Sequence, residues 1–361
     1  MKQYRVAVVG ATGMVGQRLV SLLDGHPWFR VVAVAASPRS AGLSYGQAVA
    51  GRWMIDRLIP EAVLDMTVLD ASDVKAVSDK ADFIFCAVVM PKDETRSLEE
   101  AYARAETPVI SNNSANRMTP DVPMLIPEIN PEHAQLISAQ RRRLGTKNGF
   151  ITVKSNCSIQ SYVPVLHPLR QFGLKEVSVC TYQAISGAGK TFDTWPEMID
   201  NVIPFIGGEE EKSEQEPLRI WGSFSEEGIK LAEAPVIGAQ CIRVPVSDGH
   251  LAAVSVRFQA KPSREEILAA WNNWETLPQQ LNLPSAPKPF LKYFEEENRP
   301  QTKLDRNEGR GMAVTIGRLR EDPIFDWRFV ALSHNTLRGA AGGGVLSAEL
   351  LCKEGWILPK G

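Results

Sequence analysis

Hydrophobic positions along the first 110 residues fall alternately into short dense runs and into spaced patterns. Tyr4–Val9, 30–36, 82–89 and 107–111 are apolar stretches of strand length, and 15–23 sets Leu19, Leu22 and Leu23 at helical spacing. Runs that are apolar throughout suit parallel strands covered on both faces. Their alternation with helix predicts a doubly wound, Rossmann-like α/β domain with a parallel sheet. Beyond about residue 150 the pattern changes. The runs 176–183, 240–246, 252–259 and 312–319 are β-rich, and 264–275 is the clearest helix, with Ser263 as its cap. This predicts an α+β second domain built on a large mixed or antiparallel sheet. A Gly/Ala-rich stretch after Asn335 then leads into an apolar helix over 345–351.

Composition narrows the picture. With 361 residues and 44% hydrophobic content, the chain is long enough for two or three domains with cores of their own. Lys plus Arg number 40 against 42 Asp plus Glu, a net charge of −2, so no basic field invites nucleic acid. The longest apolar run, 83–90, is far short of the roughly 18 residues that suggest a membrane helix, so no membrane partner is expected. The N-terminal stretch superficially resembles a signal peptide, but Gly10, Gly13 and Gly16 interrupt it, and it reads as a first strand. Five cysteines without a CxxC pair suit reduced thiols in a cytoplasm. His and Cys show no metal-ligand spacing, so no metal is expected.

The segment Gly10-Ala11-Thr12-Gly13-Met14-Val15-Gly16 lies between the first strand and the first helix. Glycines there permit a tight turn and bring backbone N–H groups up to a pyrophosphate at a helix N-terminus. The second strand ends in Ala36-Ser37-Pro38-Arg39-Ser40 and lacks the acidic residue that would bind the ribose 2′-hydroxyl of NAD. Arg39 with Ser37 and Ser40 suits a 2′-phosphate, hence NADP, against the plainer reading of a polar surface turn.

Four cysteines, Cys86, Cys180, Cys241 and Cys352, fall in β-rich runs or at the end of the last helix and read as small hydrophobes. Cys157 differs: a short strand runs into Lys154-Ser155-Asn156-Cys157-Ser158, and helical spacing follows. A thiol at such a junction meets the positive end of a helix dipole, which lowers its pKa. From position alone it is as readily structural as catalytic. Among the histidines, His26 and His133 fall in apparent surface segments, His167 follows Cys157 on a helix, and His250 occupies a turn between two β-rich runs, where it could project into a cleft or simply face solvent.

Taken in order, these residues resemble the aspartate-semialdehyde dehydrogenases, most closely their archaeal and fungal branch. The likeness runs through GATGMVG, residues 36–42, 111–117, 155–158, 183–189, 201–212, 243–250 and 335–342. It implies NADPH-dependent reduction of L-4-aspartyl phosphate to L-aspartate 4-semialdehyde, with Cys157 attacking the carbonyl, phosphate leaving and a thioacyl enzyme forming. It further implies His250 as acid/base and Gln183 as the orienting residue. Arg243 corresponds to the residue gripping the substrate carboxylate, Arg117 and Lys212 to phosphate-site cations with Asn156 beside them, and Glu209 to the partner of the amino group, with Glu210 and Glu211 as one-residue alternatives. Ser186, Gly187 and Asn335 correspond to cofactor contacts. Residues 1–150 would bind NADP and be completed by 335–361, while 151–334 would form the catalytic and dimerisation domain of a homodimer or homotetramer. The resemblance also implies a role in lysine (diaminopimelate), threonine and methionine biosynthesis. Residues 190–197 depart from the family pattern, being bulkier and more polar beside the expected cofactor loop. Rival readings are a malonyl-CoA reductase-like enzyme, which has no use for an amine-binding Glu; an N-acetyl-glutamyl-phosphate reductase, whose nucleophile segment differs; and a non-catalytic NADP-binding regulator, which need not retain Cys157 or His250.

Overall fold

The computed structural model describes residues 3–360. Seven strands form the first sheet: β1 (Tyr4–Val9), β2 (Phe29–Ala36), β3 (Leu69–Asp70), β4 (Phe83–Cys86), β5 (Val109–Ser111), β6 (Met124–Leu125) and β7 (Ile151–Lys154). Their order is β3-β2-β1-β4-β5-β7-β6, and every pairing is parallel. The predicted doubly wound sheet is therefore present. Its switch in strand order lies between β1 and β4, where such sheets open a crevice at their carboxyl ends.

The alternation within each strand sets the layers. Val6, Val8, Phe83 and Phe85 point to one face and pack against Leu19, Val20 and Leu23 of helix Met14–Leu23, and against Val345, Ala348 and Leu351 of the last helix, Gly342–Lys353. Ala7, Val9, Ile84 and Cys86 face the other way, onto Tyr102 and Ala103 of helix Lys92–Arg104.

The second part opens with β8 (Leu174–Gln183). A small hairpin of β9 (Ser223–Ser225) and β10 (Gly228–Lys230) follows, and then β11 (Val236–Arg243), β12 (His250–Phe258), β13 (Leu291–Phe294), β14 (Val314–Glu321) and β15 (Trp327–Ser333). Six of these strands form a mixed sheet in the order β11-β8-β12-β15-β14-β13, with β11–β8 and β13–β14 parallel and the rest antiparallel. In β12 and β15 buried residues alternate with half-exposed ones, so one face is core and the other is open.

Three differences from the sequence reading have physical causes. Ile151–Lys154 lies between β5 and β6 with all four residues buried, so the first sheet extends past residue 150. His250 is the first residue of β12 rather than part of a turn. The run 209–216 is the start of a helix, Glu209–Ile220, whose Glu209 and Glu216 are buried. Among the described residues no helix is long and apolar enough to cross a membrane.

Candidate active site

The turn after β1 is built to approach another backbone. Gly10 has φ +88°, and a Cβ there would stand 2.4 Å from the Ala87 carbonyl oxygen. At Gly16 a Cβ would stand 2.1 Å from the Gly10 oxygen, so that glycine serves close helix–strand packing. Gly13 caps helix Met14–Leu23 without a side-chain hydrogen bond, and the first turn has no acidic residue. Its leading N–H groups are therefore available to an anion. They border a cleft of about 480 Å³ lined by Gly10, Thr12, Gly13, Ser37, Pro38 and Val88, and also by Asp70 and Ser72. A helix N-terminus without a side-chain cap, beside a turn opened by glycines, fits a dinucleotide pyrophosphate.

The other expected cofactor residues divide. Ser37 lines this cleft, Arg39 is exposed next to it, and Ser40 is buried. Val15 packs against the core. Met14 and Ser186 line a second cleft of about 340 Å³ with Arg18 and residues 190–193, which places the divergent segment at that cleft. Asn335 links the parts: its Oδ1 accepts from Gly249 N at 2.8 Å, and its Nδ2 donates to Ser186 Oγ at 2.9 Å. The carboxylate missing from β2 is matched by one on the adjacent β3 that the sequence reading did not name. Asp70 pairs with Ala36 across the strands, and its Oδ1 accepts from both the N–H and the hydroxyl of Ser72.

Cys157 follows β7 at the carboxyl end of the parallel sheet. Its Sγ lies 3.4 Å from His250 Nε2, at the head of β12. His250 Nδ1 accepts the Ala184 N–H at 3.0 Å. A backbone N–H can only donate, so neutral His250 carries its proton on Nε2, toward the sulfur. Two glycines make room here. A Cβ on Gly187 would stand 3.0 Å from His250 Nε2, and one on Gly339 would stand 2.8 Å from Cys157 Cβ.

The expected dipole lowering of Cys157 is not found. The helical segments that follow it are short and irregular, a three-residue turn Ile159–Ser161, a four-residue helix Val163–Leu166 and a tight six-residue helix His167–Phe172. Burial, with Glu209 adding to it, pushes the thiol up to about 11, against the pull of Arg117, Lys154 and Arg243. Burial, Arg243 and His334 together lower His250 to about 3.

The polar residues expected around the sulfur do converge. Glu209 receives Asn156 Nδ2 on both oxygens at 3.0 and 2.9 Å, Lys212 Nζ at 2.7 Å and Gln183 Nε2 at 3.4 Å. Burial acts to raise the Glu209 carboxyl, but these donors together hold it below its ordinary value. Lys212 is thus paired with Glu209. Arg117 is also paired, with Glu216 at 3.0 Å, and its Nε donates to the Lys154 carbonyl at 2.9 Å. Arg243 is different: it is buried, and its side chain donates only to Ala184 O, at 2.7 Å, among the described residues. It has no carboxylate partner and can receive one.

Two histidines placed at the surface by sequence are buried. His26 bonds Glu349 of the last helix at 2.9 Å, and His133 meets the Gly222 carbonyl at 3.0 Å. Sequence reasoning also passed over Lys154, Glu216, Gly339, and Arg338 with its partner Glu128. Only the glycine-rich stretch 339–344 carried a signal, as a place where other groups come close.

Comparison with known proteins identifies the family. Residues 5–137 match the family model for the semialdehyde dehydrogenase NAD binding domain, and residues 166–338 match that for the semialdehyde dehydrogenase dimerisation domain. The aspartate-semialdehyde dehydrogenase of Archaeoglobus fulgidus is 44% identical over 98% of this chain and 99% of its own. That of Methanothermobacter thermautotrophicus is 46% identical over 96% and 98%. Among solved structures, the Candida albicans aspartate semialdehyde dehydrogenase with NADP superposes with a TM-score of 0.88 at 35% identity, covering 99% of this chain and all of that one. The chain belongs to the aspartate-semialdehyde dehydrogenase family.

Proposed function

We propose that this protein reduces L-4-aspartyl phosphate to L-aspartate 4-semialdehyde with NADPH, releasing phosphate through a thioacyl intermediate on Cys157. The observation that carries the reading is the Cys157 sulfur set 3.4 Å from His250 Nε2, beside the carboxylate-free guanidinium of Arg243. Sulfur attack on an acyl phosphate expels a good leaving group. The thioester so formed accepts hydride more readily than a carboxylate, and hydride is what NADPH supplies when bound. His250 is the acid/base group at the sulfur and the carbonyl oxygen.

Arg243 grips the substrate carboxylate in a bidentate pair. Glu209 receives the substrate amine. Arg117, Lys212 and Asn156 attend the phosphate, while Gln183 orients the reacting groups from the end of β8. The turn 10–16 holds the pyrophosphate, Ser37 and Arg39 meet the 2′-phosphate, and Ser186, Gly187 and Asn335 border the nicotinamide side. In this reading the NADP-binding domain runs to the end of β7 at Lys154 and is completed by the segment after 335, and the catalytic domain lies between them. The packing of Val345, Ala348 and Leu351 on the first sheet supports the return of the last helix. The half-exposed face of the second sheet, with Tyr182, Leu251 and Val330, supports a homodimer or homotetramer docked through it. Five unpaired thiols suit the cytoplasm.

The test is the reverse reaction, with aspartate 4-semialdehyde, phosphate and NADP mixed and NADPH absorbance followed. Native protein is expected to produce NADPH and Cys157→Ala to produce none. Silence from the native protein defeats the activity, and signal surviving in Cys157→Ala defeats the mechanism. A parallel arm with NAD and a CoA thioester tests cofactor and substrate choice.

A further inference from the structure

The two cations assigned to the phosphate, Arg117 and Lys212, are each paired with a carboxylate of one helix, Glu209–Ile220. Glu209 and Glu216 stand two turns apart and share the buried face of that helix. Both carboxylates also hold Asn156, the residue before the nucleophile. Glu209 receives its side-chain amide, and Glu216 Oε2 receives its backbone N–H at 2.6 Å. Glu209 has a task in the reading above; Glu216 has none.

The hydrogen bonds at Glu216 close a ring. Arg117 Nη1 donates to Glu216 Oε1 at 3.0 Å, and Arg117 Nε donates to the Lys154 carbonyl at 2.9 Å. From Lys154 the backbone runs through Ser155 to Asn156, whose N–H returns to the second oxygen of Glu216. The guanidinium is thus tied on two sides to the segment that carries Cys157. Its Nη2 takes no protein partner among the described residues and is left for another acceptor. The three members come from distant places: Arg117 from the loop after β5, Asn156 from the end of β7, and Glu216 from a helix of the second part. A buried ion pair seldom adds stability over a well-packed apolar contact. What this one supplies is a fixed placement of a cation relative to the backbone of the nucleophile.

We infer that Glu216 is a positioning residue that aims Arg117 at the phosphate while it anchors the Cys157 segment, so that phosphate is received in register with the sulfur. The inference rests on the reading of Arg117 as a phosphate cation. Both carboxylate oxygens are engaged by these two donors, and Glu216 acts through them. Glutamine keeps the shape of the side chain but breaks the ring. A guanidinium and a backbone N–H can only donate, so an amide in this position satisfies one of them and turns its own NH2 against the other.

The test is steady-state kinetics of the reverse reaction in Glu216→Gln, with phosphate, aspartate 4-semialdehyde and NADP varied in turn. The KM for phosphate is expected to rise by about tenfold or more, while the other two stay within about twofold of native. A carboxylate that served packing alone would disturb all three alike. An unchanged phosphate KM, or one that rises no more than the others, overturns the inference. If thermal melting shows Glu216→Gln to be unfolded, Glu216→Asp, which keeps the charge but is too short to reach both donors, is judged by the same outcomes.

A second readout needs no turnover. Inorganic phosphate is expected to slow alkylation of Cys157 by iodoacetamide, followed by mass spectrometry of its peptide, and to do so in the native protein at about a tenth of the concentration needed in the variant. Equal protection in both proteins, or protection in neither, overturns the inference. Should the native protein fail to reduce NADP, the assigned activity falls, and the protection assay alone decides whether Glu216 sets the phosphate site.

Discussion

Arg243 is the last residue of β11, and one of its nitrogens is fixed by the Ala184 carbonyl at 2.7 Å. The planar group is therefore pre-oriented before any carboxylate arrives, which a lysine ammonium cannot reproduce. Arg243→Lys is expected to raise the KM for aspartate 4-semialdehyde by roughly 10- to 100-fold while kcat falls less. An unchanged KM in steady-state kinetics would remove Arg243 from the substrate. At this scale the sequence was most informative where identity alone limits the chemistry. Cys157 stood out by its place at a strand end, yet its expected low pKa did not follow, because burial outweighs any dipole of the short, irregular helical turns after it. Lys154 stood in the same segment, but nothing in the sequence marked its side chain as buried. What distinguishes it is the absence of a partner carboxylate, and partners such as Glu128 and Glu216 are distant in sequence.

At the level of elements, the β1–turn–helix unit was legible because its requirements are local. Apolar residues define the strand, glycines the turn, and Leu19 and Leu23 the buried stripe of the helix. The helix Glu209–Ile220 was not, since glutamates at its start read as solvated charge until Asn156, Lys212 and Gln183 are seen to satisfy Glu209. β15 was missed although Trp327, Phe329 and Ala331 alternate as in a half-buried strand. The turn itself is open to test. Gly10→Ala must hold φ +88° with a methyl 2.4 Å from the Ala87 oxygen, a strain of about 1–3 kcal/mol. Its melting temperature is expected to fall, and NADPH binding, measured by fluorescence titration, to weaken, while Cys157 alkylation stays near native. Undiminished NADPH affinity in a variant with a lowered melting point would separate the turn from the cofactor.

Across the whole molecule, the two sheets meet through groups from distant parts of the chain, and that is why this layer was least visible in sequence. His26 reaches Glu349 on the last helix, 323 positions away, and Glu349 in turn accepts from Ser285 of the second part. Sequence pattern reports which residues are apolar; it does not report that a histidine beside a proline will be enclosed by a returning helix. Enclosure has a cost in acid. Burial lowers His167 to about 4, with Arg170 adding to it, and lowers His334 also to about 4 and His250 to about 3. In the unfolded chain each would titrate near its ordinary value of about 6.5. Between those limits the unfolded state binds more protons than the folded one, so stability rises with pH across the window and falls on acidification through it. By about pH 4 the loss is on the order of 2–3 kcal/mol for each such histidine, enough in sum to threaten a fold of ordinary stability. Urea midpoints are expected to drop progressively from about pH 7 to about pH 5. His167, beside Trp274 and away from the sulfur, isolates the effect: His167→Gln should flatten the pH dependence without removing the acid/base group at Cys157. Midpoints that stay constant over this range, or a His167→Gln slope equal to the native one, would mean that these imidazoles take up protons in the folded state as readily as in the unfolded chain.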